Sequence, residues 1–97
     1  FKMNISKLPE VSGLNQPYPN PFNPSTTITY DIKEPGHIEI AVYDIQGRKV
    51  SELYNGYHES GKQYSLVFDA SLYSSGVYFV KLQGNDFADN KKIIFIK

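Results

Sequence analysis

From residue 26 onward the chain alternates apolar and polar side chains with a period of two, and no stretch of 11 or more residues carries a helical period. Ile28, Tyr30 and Ile32 fall on one face against Thr27, Thr29 and Asp31. Ile38, Ile40 and Val42 oppose His37, Glu39 and Ala41. Tyr64, Leu66 and Phe68 oppose Gln63, Ser65 and Val67, and Tyr78, Val80 and Leu82 form a further apolar face. Successive side chains of a strand point to opposite sides of its sheet, so each run predicts a strand with one buried face.

The runs are separated by turn chemistry. Glu34-Pro35-Gly36 predicts a hairpin between the first two strands. Asp44-Ile45-Gln46-Gly47-Arg48 predicts another turn, because Asp bonds the backbone ahead of it and Gly47 can take a positive φ. A shorter strand is expected around residues 49–53. Asn55-Gly56 and Ser60-Gly61 then bracket a loop, residues 69–75 form a corner, and Gly84-Asn85-Asp86 turns into a last strand. Leu72, Gly76 and Tyr78 resemble a tyrosine corner, in which a phenol bonds backward to the preceding loop. Six strands plus one possible strand in residues 1–13 describe an all-β, immunoglobulin-like antiparallel β-sandwich of about seven strands.

Ahead of the alternation stands Pro17-Tyr18-Pro19-Asn20-Pro21-Phe22-Asn23-Pro24. Its four prolines remove four backbone donors and exclude both a helix and a central strand. The segment is expected to be a stiff lead-in that seats Phe22 on the core. A spacer holding a processing site away from the fold is the other reading.

Ninety-seven residues suffice for one compact core without a deep ligand cavity. Ten basic side chains balance ten acidic ones, so no field draws in nucleic acid. With no Cys there is neither a disulfide nor a thiolate site, and no apolar run approaches the roughly 20 residues of a membrane-spanning helix. The chain opens at Phe1 without a charged-then-apolar leader, which suggests a missing N-terminal cargo domain. Residues 1–13 would be a linker or edge strand behind it, and residues 14–97 the domain proper.

Four segments carry a resemblance: Tyr18-Pro19-Asn20-Pro21-Phe22-Asn23-Pro24-Ser25-Thr26-Thr27-Ile28; Val42-Tyr43-Asp44-Ile45-Gln46-Gly47-Arg48-Lys49-Val50; Leu72-Tyr73-Ser74-Ser75-Gly76-Val77-Tyr78-Phe79-Val80-Lys81-Leu82; and Lys91-Lys92-Ile93-Ile94. In this order they resemble the type A C-terminal sorting domain of type IX secretion, the Por secretion system C-terminal sorting domain. The Ig-like domain of flagellar hook-capping proteins shares much of the pattern. The resemblance implies a non-catalytic C-terminal signal on a secreted or cell-surface protein of a Bacteroidota-like bacterium, passing through the periplasm. Its implied partners are the outer-membrane translocon, a shuttle protein, a sortase-like peptidase that attaches the cargo to surface lipopolysaccharide, and the N-terminal cargo itself.

By that implication Lys91, Lys92, Ile93, Ile94, Phe95, Ile96 and Lys97 form the recognition strand, adding to a sheet edge of the translocon or shuttle. The bland alternative is an edge strand guarded by lysines. Pro19, Asn20, Pro21, Phe22, Asn23, Pro24, Asp44, Gly47, Arg48, Gly76 and Tyr78 are expected to act structurally, with Arg48 the least explained.

No Gly-x-Ser-x-Gly elbow and no framed pair of carboxylates suggests catalysis. His37 with Glu39 lacks a third metal ligand, and Asp86, Asp89 and Asn90 lack calcium-loop spacing, so neither a metal nor a cofactor is expected. Two rival functions remain open: a structural Ig-like accessory module, and a carbohydrate-binding module using Tyr18, Tyr54, Tyr57 and Tyr73.

Overall fold

The structure, a computed structural model, describes residues 11–97. The weak alternation at Phe1, Met3 and Ile5 lies outside those residues. Seven strands follow in order: β1 (Gly13–Leu14), β2 (Ser25–Ile32), β3 (Gly36–Asp44), β4 (Lys49–His58), β5 (Gly61–Asp69), β6 (Gly76–Gln83) and β7 (Ala88–Phe95). The seven strands pair antiparallel throughout, in a sheet of order β1-β2-β5 and a sheet of order β4-β3-β6-β7, and the described residues contain no helix. The chain is a β-sandwich in which the fourth strand pairs with the third.

The alternation orients each strand as expected. Ile28, Tyr30, Ile32, Ile38, Ile40, Val42, Phe68, Val80, Leu82, Ile93 and Phe95 are buried between the sheets. Each such aliphatic or aromatic side chain contributes about 1.5–3 kcal/mol by leaving water. Ala41, expected outward, is buried too. It sits in the inner strand β3 opposite Glu52 and Lys81, so long neighbours on both sides cover its single methyl group.

Two turn expectations fail. β2 and β3 form no hairpin, because they lie in different sheets and residues 33–35 carry the chain across the sandwich. A tight hairpin needs positive φ at a central residue, and none of Lys33, Glu34, Pro35 or Gly36 has it. Asn55-Gly56 makes no loop either. β4 continues through them, pairing Asn55 with Glu39 and Gly56 with Ile38, so the ladder offered by β3 overrides the local turn preference. The loop before β5 shrinks to Glu59 and Ser60.

The turn between β3 and β4 forms where expected. Gly47 takes φ 84°, its N–H donates to the Asp44 carbonyl at 3.0 Å, and Asp44 N–H donates to the Arg48 carbonyl at 2.9 Å. This is a three-residue hairpin loop closed by a left-handed glycine. At the β6–β7 turn, a Cβ on Gly84 would stand 2.2 Å from the Phe87 ring, so only glycine admits the close approach.

The tyrosine corner is present: the Tyr78 hydroxyl donates to the Ser74 carbonyl at 2.6 Å. Leu72 takes no part, being 94% exposed. Tyr73 fills that place, stacked on Phe68 with its hydroxyl donating to the Val50 carbonyl at 2.8 Å.

Candidate functional site

The family-motif residues converge on two places. At one end of the sandwich, Asp44 Oδ1 accepts from the backbone N–H groups of Gln46 (2.9 Å) and Arg48 (3.0 Å), and Oδ2 accepts from Arg48 Nε at 3.0 Å. These donors, the Arg48 N–H foremost, hold the Asp44 carboxyl below its ordinary range. Arg48 thus acquires the account that its sequence position lacked. Gly76 and Tyr78 stand beside this turn, lining the same shallow cleft. The one carboxylate of the cleft, Asp44, is committed to the turn.

The second place is the seam along β7, the last strand of its sheet. Strand geometry sends the backbone groups of residues 92, 94 and 96 away from β6, out to the free side. The proline segment meets them there. Asn20 Nδ2 donates to the Lys92 carbonyl at 2.9 Å, and Asn20 Oδ1 accepts from Ile94 N–H at 2.9 Å. Phe22 N–H donates to the Ile94 carbonyl at 2.9 Å, and the Phe22 carbonyl accepts from Ile96 N–H at 3.1 Å. A side-chain amide carries one acceptor and a donor pair, so Asn20 replaces a peptide unit in the ladder. Phe22 continues it as a parallel bridge to Phe95.

The segment reaches this position from the other sheet. Tyr18 and Thr27 exchange backbone hydrogen bonds at 3.0 and 2.9 Å, and the buried Thr26 hydroxyl donates to the Pro19 carbonyl at 2.7 Å. Pro24 then accepts from Ala70 N–H at 2.9 Å. Phe22 is buried, stacked on Phe95 at 5.2 Å between centroids and edge-on to Phe68 at 6.1 Å. Pro19, Pro21, Asn23 and Pro24 stay exposed. Further along the seam, Asp89 Oδ2 accepts from Leu14 N–H at 2.9 Å and ties β1 to β7.

The seven terminal residues divide by this geometry. Ile93 and Phe95 are core, Lys91 and Ile94 are half-buried, and Lys92, Ile96 and Lys97 are exposed. The strand is docked, and Lys97 N–H reaches Ser75 Oγ at 3.2 Å. Sequence reasoning treated the prolines as a lead-in and missed Asn20 as a backbone surrogate. Its partners stand 72 and 74 residues away, and no local pattern announces such a contact.

Other candidates disperse. Glu39 pairs with Lys49, which also holds Glu52 at 3.1 Å, so Glu39 and His37 share no site. Asp89 is committed to Leu14 and Asn90 backbone N–H groups. Among the described residues no group of three or more His, Cys, Asp or Glu side chains gathers in metal-ligand geometry. Of the four tyrosines, Tyr18 and Tyr57 are exposed, whereas Tyr54 and Tyr73 are half-buried and donate their hydroxyls to backbone carbonyls.

No curated protein and no solved structure matches the chain. Residues 16–97 match the family described as "Secretion system C-terminal sorting domain". That span takes in the proline segment, the Asp44 turn, the tyrosine corner and the docked last strand. The chain therefore belongs to the family of secretion system C-terminal sorting domains, the signal domains of type IX secretion.

Proposed function

We propose that this domain carries an N-terminal cargo across the outer membrane as a folded address, and that the β7 seam is what the export machinery reads. The match over residues 16–97 carries the reading. The domain is a substrate of transport and not a catalyst. Its terminal strand, Lys91 to Lys97 in sequence, presents Lys92, Ile96 and Lys97 outward while Ile93 and Phe95 hold it to the core. An outer-membrane translocon and a shuttle protein are its partners. After passage through the periplasm, a sortase-like peptidase cuts ahead of the domain and attaches the cargo to surface lipopolysaccharide. Residues 1–13 supply the connecting stretch, and residues 14–97 the signal.

The test fuses the 97-residue chain behind an exported fluorescent protein in a type IX-competent host and in a translocon-null strain. Surface fluorescence that needs the translocon is expected, and loss of the last five residues should leave the fusion in the periplasm. Periplasmic retention of the intact fusion in both strains would overturn the reading in favour of a structural module.

A further inference from the structure

We propose that the outer edge of β7 at Lys92, Ile94 and Ile96 is a strand-exchange site: a partner's extended, acidic strand displaces Asn20 and Phe22 and takes over their hydrogen bonds. The proposal rests on the sorting reading and names the kind of partner that the β7 seam accepts.

Three observations carry it. First, the resident occupant is a poor strand. One side-chain amide and one backbone residue make all four bonds to this edge, while Pro19, Pro21 and Pro24 have no N–H to add. A regular strand offers the same four bonds from its own backbone, with no side-chain amide standing in for a peptide unit.

Second, the occupant has an anchor that a competitor can copy. Phe22 is buried against Phe68 and Phe95, and its release leaves a slot for one large apolar side chain. Edge pairing with one side-chain pocket is a recurrent mode of peptide capture.

Third, the charges are unmatched. Residues 11–24 contain no charged side chain, yet the stretch of β7 that Asn20 and Phe22 cover, beyond Asp89, bears Lys91 and Lys92 and is followed by Lys97. Neither Lys92 nor Lys97 is buried. A strand with Asp or Glu beside its anchor gains an attraction that the resident segment lacks, and that attraction weakens with salt.

The geometry also supplies a control that leaves the core intact. Tyr18 is 79% exposed, Thr27 is exposed, and the two form a hydrogen-bonded antiparallel pair. Cα atoms of such pairs stand about 5.5 Å apart, inside the range a disulfide spans. Oxidised Tyr18→Cys/Thr27→Cys pins the segment at its front, while the Pro24–Ala70 hydrogen bond holds its rear. Residues 19–23 then cannot clear the edge.

The probe is a labelled nonapeptide copying residues 16–24 with Pro19→Glu, Pro21→Glu and Pro24→Glu. Titrated into the 97-residue chain, it should bind, slow amide exchange at Ile94 and Ile96, and bind at least tenfold more weakly to the oxidised double-cysteine chain. A lysine version of the peptide should bind at least tenfold more weakly than the glutamate one. No binding, or equal binding to stapled and reduced chains, overturns the exchange site. In the export assay, the stapled fusion should stay in the periplasm and recover with reductant; display equal to the unstapled fusion overturns the site's role in sorting. If the unstapled fusion itself is not exported, the sorting reading fails, and the peptide titration still decides the exchange.

Discussion

The two long sides of this sandwich are closed by different means. On the β7 side, residues from opposite ends of the chain interlock: Asn20 and Phe22 complete the ladder of β7, and Asp89 holds β1. On the other side β4 and β5 are the last strands of their sheets among the described residues, and only Glu59 and Ser60 join them. There the closure is aromatic. His58 packs edge-on against Tyr30, Tyr54 and Tyr64, and Tyr30 stacks on Tyr64 at 5.6 Å. One side is sealed through backbone groups and the other is plugged by rings. An unpaired edge invites foreign strands, so a side sealed by a short, proline-rich surrogate is protected by an element that is itself replaceable.

The largest expected effect strikes the sealed side. Phe22→Ala empties the slot between Phe68 and Phe95 and should cost about 3–5 kcal/mol in urea denaturation. That is a large fraction of the roughly 5–15 kcal/mol typical of such a domain. Asn20→Ala comes next, leaving the Lys92 carbonyl and Ile94 N–H without protein partners, at about 1–3 kcal/mol. Its amide exchange should be asymmetric: Ile94 exchanges faster, while Ile93, whose backbone faces β6, does not change. Equal acceleration of both would mean that Asn20 acts on the whole strand and not on its outer edge.

The difference between the sides also explains what the sequence could announce. Period-two alternation placed the buried faces of β2, β3, β5 and β6 because it is a local property, repeated in every pair of residues. The Asp44–Arg48 turn and the Tyr78 corner were legible for the same reason, each closing within four residues. Which strand follows which across the sandwich was not. Glu34-Pro35-Gly36 and Asn55-Gly56 both carry turn residues, yet the first is a crossover and the second a strand interior, since pairing with a distant partner decided each. Asn20 was opaque for a related reason: in a proline run an Asn suggests a turn, and nothing nearby hints that its amide is a missing peptide unit of β7.

A smaller effect distinguishes the plugged side. His58 Nδ1 faces the Glu59 carbonyl at 2.8 Å, which can only accept, so in the neutral ring Nδ1 donates and Nε2 accepts from the Tyr30 hydroxyl at 2.8 Å. Tyr30→Phe leaves Nε2 without that donor and should cost about 1 kcal/mol. Burial first, then the neighbouring Tyr54 and Tyr64, push the Tyr30 hydroxyl from 10.0 up to about 12. A folded value above the unfolded one means that the contribution is complete below pH 10 and is lost as pH rises from about 10 to about 12. The melting temperature should fall across that window, and Tyr30→Phe should flatten the part due to this hydroxyl. The same slope in both chains would place the alkaline transition elsewhere.

The smallest effect tests whether the β5 side is uncovered at all. Val67 lies on β5 opposite Thr27 and is 63% exposed, with its neighbours Leu66 and Phe68 turned to the core. Val67→Lys removes a half-solvated side chain of good β propensity and keeps an aliphatic stem over the sheet, so stability should move by no more than about 0.5 kcal/mol. Charge on an edge strand also discourages pairing between copies, so sedimentation of the variant at high concentration should show equal or less self-association than the parent. A loss above about 1 kcal/mol would mean that something covers this face. The contrast between an edge strand covered by the proline segment and an edge strand left uncovered beside the aromatic plug would then have to be withdrawn.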